Sequence, residues 1–179
     1  MRKVLFTLSL AMISILAYCQ DSNDSIAISQ MKQLGVYYFS NNSLTQITPI
    51  MPENTKVSGY IFSAKASMVY EGENSENKMN NTPTFYVYIP AMYKNNINAK
   101  QFRMVTLTSK NGSRKLKTAS VSPFGAKTGA KSQTMDMVKL NDECFKIFSK
   151  EVMPAGHYGI FYNYGNGVPL KLYDFDITE

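Results

Sequence analysis

The chain has 179 residues, 44% hydrophobic and 18% charged, enough apolar content to fill a packed interior, which excludes global disorder; the length favours one domain over a multidomain enzyme. The formal net charge is +6, and a single His, two Cys and no Trp leave too few ligating side chains for a structural zinc site.

Arg2 and Lys3 precede the uncharged run Val4 to Ala17, which supplies the positive and apolar regions of an export signal. At fourteen residues the run is shorter than the roughly 18 a membrane-spanning helix needs, so a soluble mature chain without a transmembrane segment is expected. Small residues at Ala17 and Cys19 fit cleavage between Cys19 and Gln20, giving a signal over 1–19 and a polar segment over 20–33. Leu16-Ala17-Tyr18-Cys19 also resembles a lipobox, in which Cys19 would carry lipid, although Tyr18 stands where such sites have a small residue. Under either cleavage Cys144 is the only cysteine of the mature chain, so an intramolecular disulfide is ruled out there. Its apolar setting reads as that of a small core residue rather than a reactive thiol.

From residue 34 to residue 179 the pattern is that of a single β domain. Runs rich in Val, Ile, Tyr, Phe and Thr alternate with Asn, Gly, Pro and Ser clusters. Strands are predicted over Leu34 to Phe39, Leu44 to Thr48, Val57 to Tyr70 (bent or split), Thr84 to Ile89 and Gln101 to Ser109. Further strands are predicted over Arg114 to Ser120, Thr134 to Leu140, Glu143 to Ser149, His157 to Asn163 and Leu170 to Ile177. So many strands in one domain imply an antiparallel β-sandwich, with a β-barrel as the alternative. Lys110-Asn111-Gly112-Ser113 carries the Asn-Gly pair of a type I′ turn and predicts a hairpin between its flanking runs. Pro154-Ala155-Gly156 predicts a second reversal, while Glu71 to Thr82 and Pro123 to Ser132 read as exposed loops. Alternation in the last strand puts Tyr173, Phe175 and Ile177 on one face, and Asp174 and Asp176 on another that is expected to be solvated.

Four segments in this order, Gly35-Val36-Tyr37-Tyr38, Pro83 through Pro90, Phe102 through Leu107 with Arg114-Lys115-Leu116, and Pro154 through Tyr158 with Tyr173 through Ile177, carry a likeness. Together they resemble an uncharacterised family of secreted bacterial β-domain proteins of unknown function. The resemblance implies a fold and an export route, and no reaction.

Charge divides the chain. Residues 20–76 hold three Lys or Arg against six Asp or Glu, residues 77–135 hold ten against none, and residues 136–179 hold four against seven. A concentrated positive surface attracts anions, which outside the cytoplasm means lipid phosphates, acidic glycans or acidic proteins. Lys115 and Lys117, alternating with Leu116, equally fit a strand edge kept soluble by charge. Nucleic acid is not expected, because the aromatic residues are not grouped with the basic ones.

The only histidine, His157, follows a turn with no nucleophile motif nearby, and no glycine-rich phosphate loop opens a helix. No residue is therefore assigned a catalytic, cofactor-binding or metal-ligating role, and no cofactor is expected. Among twelve tyrosines, Tyr86 and Tyr88 lie on a face that is either an outward stacking surface or a second packed layer, the latter being favoured. The sequence points to an exported, non-catalytic β-domain of the bacterial cell envelope, periplasmic, outer-membrane-associated or extracellular. It would bind or assemble with an envelope protein, an anionic glycan or a lipid. The alternatives are a barrel-type carrier of a small ligand and a hydrolase using carboxylates from separate strands.

Overall fold

The computed structural model describes residues 22–60, 63–133, 135–165 and 168–178; the expected export signal and Cys19 lie outside them. A helix, α1, covers residues 22–30. The first strands are β1 (Gly35–Ser40), β2 (Ser43–Gln46), β3 (Asn54–Tyr60), β4 (Ser63–Glu71), β5 (Lys78–Met79), β6 (Thr84–Tyr88) and β7 (Phe102–Lys110). They are followed by β8 (Ser113–Ser122), β9 (Gly125–Thr128), β10 (Ser132–Gln133), β11 (Asp136–Lys139), β12 (Cys144–Phe148), β13 (Gly156–Tyr162) and β14 (Tyr173–Ile177).

Among the described residues 53% are in strands and 10% are helical, so the fold is all-β, and its strands form two sheets, neither of which closes into a barrel. The smaller sheet has the order β11-β12-β6-β1-β2; the larger runs β3-β4-β8-β7-β13-β14-β5, with β9 added to β8 and β10 to β7. The architecture is a β-sandwich, as the alternating sequence requires, and the barrel alternative is set aside.

Alternation determines which residues meet between the sheets. Val36, Phe85, Val87 and Ile147 of the smaller sheet pack against Met104, Tyr158, Ile160 and Phe175 of the larger, all in one buried cluster. Phe85 lies 4.9 Å from Phe175, and the Tyr158 ring stacks on Phe175 at 5.6 Å. Each fully buried side chain of this size stabilises the fold by about 1.5–3 kcal/mol, so this layer holds the sandwich together.

Both sheets are covered again on their other faces. Ala27 of α1 and the following Met31 cover Tyr37, Tyr86 and Cys144 on the smaller sheet. Lys146 pins the helix by an ion pair to Asp24 at 2.9 Å, and the Tyr86 hydroxyl donates to the same carboxylate at 2.8 Å. Residues 22–30 of the expected polar segment are thus a helix whose Asp24 and Ala27 share a face with the following Met31 at i, i+3, i+7 spacing. On the larger sheet, Val105, Leu107, Leu116, Phe161 and Tyr70 form a second cluster closed by Leu172.

The Asn-Gly turn forms as predicted, with φ of 55° at Asn111 and 75° at Gly112. Its two strands, however, pair only over Thr108–Lys110 and Ser113–Lys115. Beyond that point β8 leaves β7 and continues between β4 and β9. The predicted loop over Pro123 to Ser132 therefore contains β9, and the predicted run Val57 to Tyr70 is the pair β3 and β4. Strand β8 lies inside the sheet, so Lys115 and Lys117 do not protect an edge, contrary to the sequence expectation.

Candidate functional site

Register places His157 opposite Asp176 and Gly159 opposite Asp174, so all four face the same side of the larger sheet. That side is covered. The segment from Glu71 to Asn77 crosses it, with the Ser75 N–H donating to Asp176 Oδ2 at 3.0 Å and the Ser75 hydroxyl donating to the Asp174 carbonyl at 3.1 Å. Asp176 also accepts from Lys78 at 2.6 Å and contacts His157 Nδ1 at 2.8 Å. Asp174 pairs with the buried Arg114, which donates further to the carbonyls of Glu71 and Gly72. The two carboxylates predicted to be solvated are 4% and 3% exposed, because a cation and a covering loop from distant parts of the chain replace water.

Burial would raise the Asp176 pKa, but the bonds from Lys78, His157 and Ser75 outweigh it and hold the carboxyl below its usual value. Both Asp176 oxygens and Asp174 Oδ2 are engaged with His157, Lys78, Ser75 and Arg114, which ties the covering loop to the sheet. Among the described residues no buried side-chain nitrogen or oxygen lacks a partner. This network is structural in form.

The other nominated side chains are also taken up by packing. Cys144 is fully buried, and burial together with nearby Asp24 pushes its thiol pKa up to about 12, far from a thiolate nucleophile. Tyr86 lies beneath α1, and the Tyr88 hydroxyl is bonded to Glu143 at 2.9 Å, which raises its pKa. A cleft of about 430 Å³ beside the β1–β2 hairpin is lined in part by Tyr38, Thr84, Lys78 and Lys146. Both of its ammonium groups are already paired, with Asp176 and Asp24.

A different surface is not used by the fold. Strands β3, β4, β8 and β9 extend away from the body as a four-stranded arm whose cross-strand rows are Val57–Ala66–Ala119–Thr128, Ser58–Lys65–Ser120–Lys127 and Gly59–Ala64–Val121–Ala126. Directly opposed residues share a face and successive residues alternate. One face of the arm is therefore made of small, uncharged side chains. The other carries Lys65 and Lys127, joined by Lys56, Lys117 and Lys115 in the rows nearer the body.

Simple alternation along β8 would put Lys115, Lys117, Ala119 and Val121 on one face. A bulge prevents this. Ala66 pairs with Ala119 while Ser67 pairs with Lys117, leaving Thr118 as the extra residue, its hydroxyl donating to the Ala66 carbonyl at 3.4 Å. The phase shift keeps the lysines apart from Ala64, Ala66, Ala119 and Val121. Gly59 allows β3 and β4 to meet at the far end, where a Cβ would run into the Ser63 carbonyl.

Toward its far end the arm is largely open to solvent. Val57 is 73% exposed, Val121 52%, and Phe124 at the β8–β9 turn 100%. None of the five lysines forms an ion pair among the described residues. Sequence reasoning found the acid-free middle third but missed this surface, because two of its lysines, Lys56 and Lys65, come from the acid-rich first part of the chain. None of the described helices is long and apolar enough to cross a membrane. Compared with known proteins, the chain matches no family model, no curated protein and no solved structure.

Proposed function

We propose that the protein is an exported, non-catalytic β-domain of the bacterial cell envelope that binds an anionic envelope component through its arm. The observation that carries this reading is the segregated face of Lys56, Lys65, Lys115, Lys117 and Lys127, unpaired and aligned across neighbouring strands. Exposed lysines add little to the stability of a fold, whereas aligned like charges raise the local concentration of an anionic partner. Support also comes from the body, whose buried Arg114, Asp174 and Asp176 are committed to internal pairs and whose inter-sheet space is filled with apolar side chains.

The test is retention of the mature chain on heparin and on its own envelope extract, at low salt and at 1 M. The Debye length falls from about 8 Å at physiological salt to about 3 Å at 1 M, so binding should be lost at high salt. It should also be lost when Lys65→Glu and Lys127→Glu are combined. Binding that survives both changes, or no retention on either matrix at low salt, overturns the reading.

A further inference from the structure

Resting on the reading of the arm as the binding element, we propose that its tip is a wedge for an anionic phospholipid bilayer. Phe124 enters the boundary of the acyl chains while Lys65 and Lys127 lie at the level of the phosphates.

Spacing along the arm supports this. Ser122 pairs with Gly125 across a turn formed by Pro123 and Phe124, and the next row inward is Val121–Ala126. The lysine row follows, with Lys127 three residues from Phe124. At about 3.3 Å per residue, the Phe124 backbone sits roughly 10 Å ahead of the Lys127 backbone along the arm. Apolar groups held at a membrane surface are buried by about 5–10 Å at the boundary between headgroups and acyl chains. The cations thus meet the headgroups as the ring meets hydrocarbon.

Charge agrees with the spacing. Residues 77–135 contain no carboxylate, and the acids nearest the arm along β3 and β4, Glu53 just before β3 and Glu71 at the end of β4, lie at the body end of those strands. An anionic surface approaching the tip is therefore not repelled.

Other occupants fit less well. The apolar face, two rows across four strands, covers about 250 Å² at sheet spacing, against the roughly 800 Å² per partner of a stable protein interface. A single phenyl ring at the apex of a turn carries no polar group of its own for a glycan; in hydrocarbon it needs none.

The chain contains no Trp, so Phe124→Trp in the mature protein introduces a single fluorescent reporter at the tip. Vesicles of phosphatidylcholine alone and of phosphatidylcholine with phosphatidylglycerol are the probes, with far-UV circular dichroism confirming that each variant is folded. The expected result is a blue shift of emission with the anionic vesicles and none with the neutral ones. Phe124→Ala should weaken co-sedimentation at least about tenfold, and Lys65→Ser or Lys127→Ser about fivefold each. Co-sedimentation with emission fixed at its aqueous wavelength overturns the wedge and leaves the lysine face standing. Retention on heparin or envelope extract with indifference to anionic vesicles overturns the wedge alone, whereas indifference to all three removes the proposed function with it.

Discussion

The body and the arm are built from continuous strands, yet they are held by different forces. In the body, Phe85, Phe161 and Phe175 are almost wholly buried, while in the arm Val57 and Val121 are 73% and 52% exposed. Strands β4 and β8 belong to both: Tyr70 and Leu116 are buried near their body ends, and Ala64 and Val121 stand in the open sheet beyond. Side-chain packing stabilises the first region and backbone ladders the second. The arm borrows its order from strands already anchored, so its side chains are free of the core's demands. Elements with few buried contacts lie at the low-stability end of a protein, from which binding elements are commonly drawn.

If that division is correct, the largest loss of stability should come from the buried pair of the body. Arg114→Ala would strand Asp174 without its cation beneath the covering loop. Removing one partner of a buried pair costs about 3–5 kcal/mol, which lowers Tm by roughly 10 °C in a chain of this size. Differential scanning calorimetry should record that loss, and Arg114→Met with Asp174→Asn should restore most of it. A loss below about 1 kcal/mol in the single variant would mean that water replaces the pair and that the body is less closed than described.

A smaller effect is expected at Gly159, where β13 passes under Leu172. A Cβ there would lie 2.5 Å from Leu172 Cδ1, so Gly159→Ala should cost about 1–3 kcal/mol by overpacking. Adding Leu172→Ala should make the glycine substitution nearly neutral. Urea midpoints of the two singles and the double form a cycle that shows whether this cluster is as tightly packed as the inter-sheet layer.

Acid should also affect the body first. The folded-state pKa of Asp176 is depressed, so between the unfolded value, about 3.9, and the lower folded value the unfolded chain binds more protons. Its contribution is complete above about pH 4 and falls away below that as the folded carboxyl takes up its proton. Urea midpoints measured from pH 7 to pH 2 should drop more steeply for the native chain than for Asp176→Asn. Equal slopes would show that Lys78 and His157 do not stabilise the ionised form.

Much of this was legible in the sequence, and the rest was hidden for physical reasons. Thr84–Tyr88 announces itself by β-branched and aromatic residues on both faces, since one face meets the opposite sheet and the other meets α1. Asn111-Gly112 specifies its turn through local backbone preference. Asp174 and Asp176 misled because alternation distinguishes polar from apolar but not wet from paired, and their partners lie 60 and 98 residues away. Helix α1 left only the spacing of Asp24, Ala27 and Met31, in a composition that otherwise suits a loop. The arm was hidden most deeply. Its lysine face exists only when three strand registers and one bulge residue, Thr118, are known together, and β9 is written in Gly, Ala, Lys and Thr, of which only Thr favours a strand.

The smallest expected change sharpens the comparison most. Val57→Ser and Val121→Ser alter side chains that gain almost nothing from burial, so the stability of each variant should stay within about 0.5 kcal/mol of the native chain. The same substitution at Val36 or Val87, both fully buried between the sheets, removes buried methyl groups and leaves a hydroxyl without water, and should cost about 2 kcal/mol or more. Amide hydrogen exchange provides the second axis. Exchange at Ala64, Val121 and Ala126 should proceed by local opening, unaffected when Arg114→Ala destabilises the body, whereas exchange at Phe85 and Ile160 should accelerate in step with the global loss. Equal costs for the four valine substitutions, or arm amides that track global unfolding, would make the arm part of the core's cooperative unit and leave its exposed lysines and Phe124 as decoration on one indivisible sheet.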